Sequence, residues 1–390
     1  MGRVLISRWH LVATAVLVGA LIAKSLIFSS HVLFSPRYIS DEVYYVPAGK
    51  YFMYKFGFLP EFKPPVSVTV REVGGTSIFD CIPLESEAAG IVIRASAYNW
   101  ANIEHPAFAK LVYGVLICAL GKLILLRLFL LAFSSVLFAF FFYTLISEYD
   151  IFGVISISVF LLLDGVVYHF TYLAFLDTLM LSLLLLSVSM FLRGNMYAAI
   201  PLALTAASKE TAVVFTIPFS IFLFLRGKRR WALIYLFAVI CACALSFALN
   251  MVAASPSQIV ETIFGMSRIF DPYACKNICL LSLREEWGIF ILYPALLWLW
   301  LAGIVIKLRE EPGRETWLLP YLISLTNMAF VASASFLRSV YVFYYAPALA
   351  LSPILIADLT KYFVKCPSVR KYINTVADRF RIMKIRVSEI

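Results

Sequence analysis

The sequence predicts an all-α polytopic membrane protein, and three observations carry that prediction. Apolar residues make up 62% of the 390-residue chain and charged residues only 14%, whereas a soluble domain carries roughly a quarter of its residues as charges. Mean hydropathy is +0.89. The basic residues stand mostly at the ends of long apolar runs, so the net charge of +10 reads as membrane orientation rather than as a nucleic-acid surface.

Taken in order, the runs begin at about 10–34, behind Arg3 and Arg8. This stretch is too long for the apolar core of a signal peptide and no small-x-small cleavage site follows it, so it reads as an uncleaved first span. A long polar segment, about 35–122, comes next, with Pro64–Pro65 and Gly74–Gly75 at its centre. Its last part, 108–122, is apolar but short, and is expected to lie in the outer interface with Lys110 and Lys122 reaching lipid headgroups. Further spans follow at about 123–146, 151–168, 171–192, 196–208, 211–225, 231–253, 287–306, 316–336 and 339–360. That makes ten crossings at roughly 20 residues each. The pair 196–208 and 211–225 is short for a lipid-exposed span, and short helices belong where protein or a polar cavity surrounds them.

Orientation follows from the basic loops. Arg193, then Arg226, Lys228, Arg229 and Arg230, then Lys307, Arg309 and Arg314 share one side with Arg3, Arg8 and the tail 361–390. That side is cytoplasmic and holds both termini. Residues 1–360 then form the transmembrane domain, 361–390 a basic cytoplasmic tail, and 35–122 and 254–286 two extracytoplasmic loops.

Seven cysteines show no metal-ligand spacing. Cys118, Cys241 and Cys243 fall in apolar runs and read as small hydrophobes. Cys81, Cys275 and Cys279 fall in the outer loops, where any disulfide between two leaves the third over.

Three features could carry chemistry. Asp41-Glu42-Val43-Tyr44-Tyr45 opens the first loop at the outer end of the first span. A carboxylate there can serve as a general base where an aqueous acceptor meets a membrane-embedded donor; the plain alternative is a solvated loop start with tyrosines in an aromatic belt. Asn102-Ile103-Glu104-His105-Pro106 precedes the helix that carries Lys110, and proline holds His105 extended. The third feature is a set of ionisable residues at membrane depth: Lys24, Asp164, Asp177 and Lys209 with Glu210. Such residues are costly in lipid and mark functional sites by default. Asp177 has no opposite charge within a helical turn, so its partner must come from another segment. Lys209, between the two short helices, is placed to meet a lipid phosphate.

In order and spacing, DEVYY, EHPAFAK, FLDTLML and ASKETAVVF resemble the protein O-mannosyltransferases and the related ArnT-like enzymes of the GT-C membrane glycosyltransferases. The resemblance implies a GT-C-like bundle and a polyprenyl-phosphate-linked sugar (mannose or similar) as donor. It implies transfer with inversion to a hydroxyl of a protein, lipid or glycan acceptor on the extracytoplasmic face. Asp41 becomes the base with Glu42 beside it. Tyr44, Tyr45, Glu104, His105, Lys110 and Asp177 line the substrate cavity, and Lys209 and Arg338 hold the donor phosphate. The chain departs from the family's HPPLGK at Ala107 and Ala109, and lacks the arginine that usually precedes the aspartate of FLDTLML. It also lacks the oligosaccharyltransferase signature WWDYG.

No cofactor is required by this chemistry. Asp41, Glu42, Glu104 and His105 are compatible with a divalent cation, but no spacing demands one. The competing reading is a secondary transporter or lipid flippase using Asp177 and Lys209 as intramembrane sites. No matching halves of the chain support it, and a non-catalytic scaffold would leave the buried charges unexplained.

Overall fold

A computed structural model describes residues 7–36, 38–39, 41–62, 101–103, 105–260, 287–310, 315–335 and 345–367. These residues form α-helices and short 3₁₀ turns, with no strand among them. The helices are α1 (Arg8–Phe28), α2 (Ser30–Leu33), α3 (Glu42–Lys55), α4 (Phe108–Leu120), α5 (Leu123–Tyr149), α6 (Ile151–Leu163), α7 (Leu176–Leu192), α8 (Ala199–Ser208), α9 (Thr216–Leu225), α10 (Arg229–Ala248), α11 (Trp287–Glu310), α12 (Leu319–Ser335) and α13 (Ala346–Lys365).

Among the described residues four helical stretches are long and apolar enough to cross a membrane: Arg8–Phe28, Leu123–Tyr149, Arg229–Val252 and Ala346–Lys365. Six more apolar helices are shorter, among them Phe108–Leu120, Ile151–Leu163, Met196–Ser208 and Glu210–Leu225. The 27 residues of α5 extend about 40 Å at the α-helical rise, more than the ~30 Å of a bilayer core. By contrast α6 stops at Leu163, short of the expected 168. Asp164 turns its carboxylate onto the amides of Val166, Val167 and Tyr168 at 2.9, 2.7 and 2.9 Å, capping a 3₁₀ turn that follows. Lys24 finishes the same corner by donating to the carbonyls of Leu161, at 2.6 Å, and Asp164. Both residues therefore cap helix ends, α6's last carbonyls being satisfied from α1.

The bundle is built by α1 packing on α5 and α6, α5 on α7, α7 on α8, α8 on α10, and α9 on α10 and α12. The last described helix, α13, closes it against α6, α11 and α12. One large core rich in Phe, Leu and Ala side chains runs between them, with two smaller clusters around α3 and α4. At one end Asp150, in the tight corner between α5 and α6 with φ +51°, accepts from Trp9 Nε1 at 3.0 Å. The opposite end collects the α1 C-terminus, the 164–175 turn and the start of α7.

The segment 108–122 differs from the expectation of a helix reaching into headgroups. Helix α4 packs along α3, where Gly49 and Gly114 bring the two backbones into contact; a Cβ on either would overlap the other's main chain. Lys110 is fully buried, because its ammonium has inward partners described below. Gly121, at φ +71°, then reverses the chain into α5.

Candidate functional site

The first candidate carboxylates lie where α3 begins. Glu42 is fully buried, and its oxygens are taken up on all sides. Arg127 of α5 grips it as a two-pronged pair, Nε to Oε1 at 3.1 Å and Nη2 to Oε2, while the amides of Ile39 and Ala174 donate at 3.0 Å each. The other side of the guanidinium donates to the carbonyls of Val32 and Ser35, both at 2.7 Å. One ion pair thus ties the link between α1 and α3 to α5 and to the start of α7. A charge pair buried this deeply persists only when every lone pair and proton is satisfied, and here Glu42 is occupied in holding the frame rather than facing a substrate.

Asp41, one residue earlier, points elsewhere because successive positions at a helix start diverge by about 100°. It is partly buried, and among the described residues its carboxyl takes no hydrogen bond. Burial, with the Asp177 carboxylate adding, pushes that carboxyl up to about 6, against the pull of Lys209 and His105.

The loop before α4 supplies the imidazole. Its carbonyls turn inward onto two buried groups. Lys110 Nζ donates to Ala101, Asn102 and His105 at 3.1, 2.5 and 2.7 Å, and to Asn250 Oδ1 at 3.5 Å. Asn250 Nδ2 donates to the carbonyls of Ile103 and His105 at 3.3 and 3.0 Å. Ser246 accepts from the Phe108 amide at 2.8 Å and donates its hydroxyl to the Ala207 carbonyl at 2.8 Å. With Pro106 limiting the backbone, His105 is held from both sides, and its ring meets the Tyr45 ring edge-to-face at 6.1 Å.

The cation comes from the break between the short helices. After Ser208 the chain turns extended at Lys209, with φ −150° and ψ 124°, before a 3₁₀ turn over Glu210–Phe215. Neighbouring side chains of extended backbone point to opposite sides. Lys209 accordingly reaches Asp177 of α7, with Nζ at 2.6 and 2.8 Å from the two carboxylate oxygens. Glu210 reaches His105, with Oε2 at 3.0 Å from Nδ1. A narrow cleft beside the Asp177–Lys209 pair is lined by Met180, Thr211, Phe215, Asn327, Phe330 and Pro347.

Of the residues singled out from sequence, Asp41, Tyr45, His105, Asp177 and Lys209 therefore come together, from four separated segments. Tyr44 stands beside Tyr45, ring centres 6.5 Å apart. Glu42 and Lys110 are adjacent to the site but engaged in holding its walls. Glu104 and Arg338 lie outside the described residues, as do Cys81, Cys275 and Cys279. Cys118 is exposed, and Cys241 and Cys243 are partly buried, all as free thiols. Among the described residues no group of three or more His, Cys, Asp or Glu side chains is arranged to hold a metal ion; Glu42, one of the four considered for that role, is paired to Arg127.

Sequence reasoning missed Arg127, and it missed a second buried pair, Lys307 with Asp358 at 3.1 Å. The signal was present: each of Arg127 and Asp358 is a lone charge inside an apolar run, the same mark that picked out Asp177. No protein-family model matches the chain, and no curated protein matches it.

Proposed function

We propose that the protein is a membrane glycosyltransferase that moves a sugar, mannose or similar, from a polyprenyl phosphate to an acceptor hydroxyl. The observation that supports this best is the meeting of Asp41 with the Asp177–Lys209 pair. A carboxylate able to take a proton near neutral pH stands by a buried ammonium suited to phosphate, and that ammonium lines a small, mostly apolar cleft. In this reading the acceptor oxygen attacks the anomeric carbon and its proton passes to Asp41. The bond from that carbon to the phosphate oxygen breaks with inversion, and the electron pair leaves with the polyprenyl phosphate. Lys209 already carries the charge of Asp177, so the donor phosphate takes over or shares that ammonium, with Arg338 as the second cation. Charge building on the departing phosphate is what such preorganised cations stabilise. The acceptor is a protein, lipid or glycan, and the chemistry needs no cofactor.

The ten-crossing arrangement, with both termini cytoplasmic and the site extracytoplasmic, belongs to the same proposal. The basic loops support it, and so does the gathering of Asp41, His105, Asp177 and Lys209 at one end of the bundle. In membranes supplied with a polyprenyl-phosphate sugar, Asp41→Asn is expected to cut transfer by ~10²–10⁴-fold and to leave donor binding unchanged within a few-fold. Full turnover by that variant sinks the assignment.

The same buried Asp177–Lys209 pair supports a second reading, a secondary transporter or lipid flippase. Solute or lipid movement in proteoliposomes, indifferent to added polyprenyl-phosphate sugar, would select it over transfer.

A further inference from the structure

The frame around His105 is elaborate for a short loop. A fully buried lysine, a buried asparagine and a buried serine all converge on residues 101–108. Burying an ammonium is costly unless several acceptors surround it, and here loop carbonyls are those acceptors. What this frame fixes is the one imidazole of the site, with Glu210 against Nδ1 at 3.0 Å and Tyr45 against its ring.

We propose that Glu210 is a positioning residue: acting through His105, it sets the basicity of Asp41, and the Lys110–Asn250–Ser246 frame keeps that pair facing the base. The inference rests on the transferase reading for its purpose but not for its geometry. A carboxylate at hydrogen-bond distance from Nδ1 favours a proton there and steadies positive charge on the ring. That charge opposes the burial and the Asp177 carboxylate that push Asp41 upward. Among the described residues the charges acting on Asp41 are Asp177, Lys209 and His105, so Glu210 reaches it by way of the imidazole. The groups facing this pair from the surrounding elements are Asp41 and Tyr45 of α3, Asp177 of α7, Lys209 beside Glu210, and Cys243 of α10, whose thiol feels the Glu210 carboxylate. Lys209 is already matched by Asp177 at 2.6 Å.

The test reads Asp41 directly. A hydrophobic carbodiimide reacts with protonated carboxyls, and its attachment to Asp41 can be followed by peptide mass spectrometry across pH in the purified full chain in nanodiscs. The wild-type labelling midpoint is expected near 6. Glu210→Gln and His105→Gln should each move it upward by roughly half a pH unit or more, since an opposing cation is weakened or lost. His105→Lys, which restores a fixed cation, should bring it back. Glu210→Asp, keeping the charge one methylene away, should give a smaller upward shift and serves if Glu210→Gln does not fold. Midpoints that stay at the wild-type value in Glu210→Gln (or Glu210→Asp) and His105→Gln overturn the proposal. In a parallel transfer assay, the acid limb of kcat/KM should move with the labelling midpoint while the donor KM holds. Shifted labelling without any transfer in the wild type leaves this inference standing and removes the transferase reading; transfer with unmoved midpoints does the reverse.

Discussion

Two buried ion pairs, one at each end of the bundle, differ in what surrounds them. Lys307 and Asp358 meet at 3.1 Å, with Tyr149 Oη 3.2 Å from the ammonium and Tyr321 Oη 2.5 Å from the other carboxylate oxygen. The Tyr149 and Trp317 rings wall the ammonium at 5.2 and 5.7 Å, packed edge-to-face on each other. Tyr149 ends the helix that Arg127 begins, about 30 Å away at the α-helical rise. Near that far end Asp177 and Lys209 are just as closely paired, at 2.6 Å, and are also buried, but their neighbours differ. A cleft runs beside them, and Asp41 stands nearby with no hydrogen bond among the described residues. In the first cluster each charge meets an opposite charge and a tyrosine hydroxyl. In the second a further carboxylate, Asp41, stands by the pair, and the proposed transfer would use it.

The largest expected effect breaks this comparison at the Lys307–Asp358 end. Asp358→Asn leaves Lys307 buried without its counter-charge, which should cost about 3–5 kcal/mol of stability, read as a loss in the thermal midpoint of the purified protein. Replacing both partners, Lys307→Met with Asp358→Leu, removes the charge along with the pair and should recover most of that loss. Activity per folded molecule should be unchanged in either case. The matching double replacement at the other end, Lys209→Met with Asp177→Leu, should likewise be tolerated in stability but should abolish transfer. If the Lys307–Asp358 replacement proves the more damaging to activity, the assignment of roles to the two ends is reversed.

Much of the contrast was legible in the sequence, for a definite reason. Apolar runs and lone charges inside them are one-dimensional signals, and Asp177 within FLDTLML was conspicuous on that basis. The break at Lys209 showed as two helices too short to stand in lipid alone, and the chain is indeed extended there. What sequence could not supply was pairing. Asp41 and Glu42 are adjacent and chemically alike, but Arg127, 85 positions away, removes only Glu42 from play. Lys110 looked like a surface lysine because four of its contacts come from a loop carbonyl set and Asn250, which no spacing rule foresees. Lys307 counted as a cytoplasmic loop charge for the same reason: its partner lies on α13. Span lengths failed where a side chain ended a helix early, as Asp164 does for α6.

A smaller effect sharpens the comparison at the Asp177–Lys209 end, through the pH dependence of stability. Asp41 sits at about 6 in the folded protein against a usual 3.8, chiefly through burial. An acid held higher in the folded state than in the unfolded chain favours folding only while it stays protonated. Stability from this residue is therefore present below about pH 4, falls as pH rises through 4 to 6, and stays lower beyond. A shift of this size at about 1.4 kcal/mol per pH unit corresponds to roughly 1–3 kcal/mol, allowing for solvent at a partly buried group. Asp41→Asn cannot ionise and keeps the shape, so it should be more stable than the wild type by about that amount at pH 8, with the difference vanishing at pH 4. Thermal unfolding of the two proteins across this range checks the sign; a difference independent of pH contradicts it. A residue whose removal stabilises the fold while ending the reaction is kept for the reaction. The Lys307–Asp358 pair should show the opposite behaviour, because its charges already have their partners.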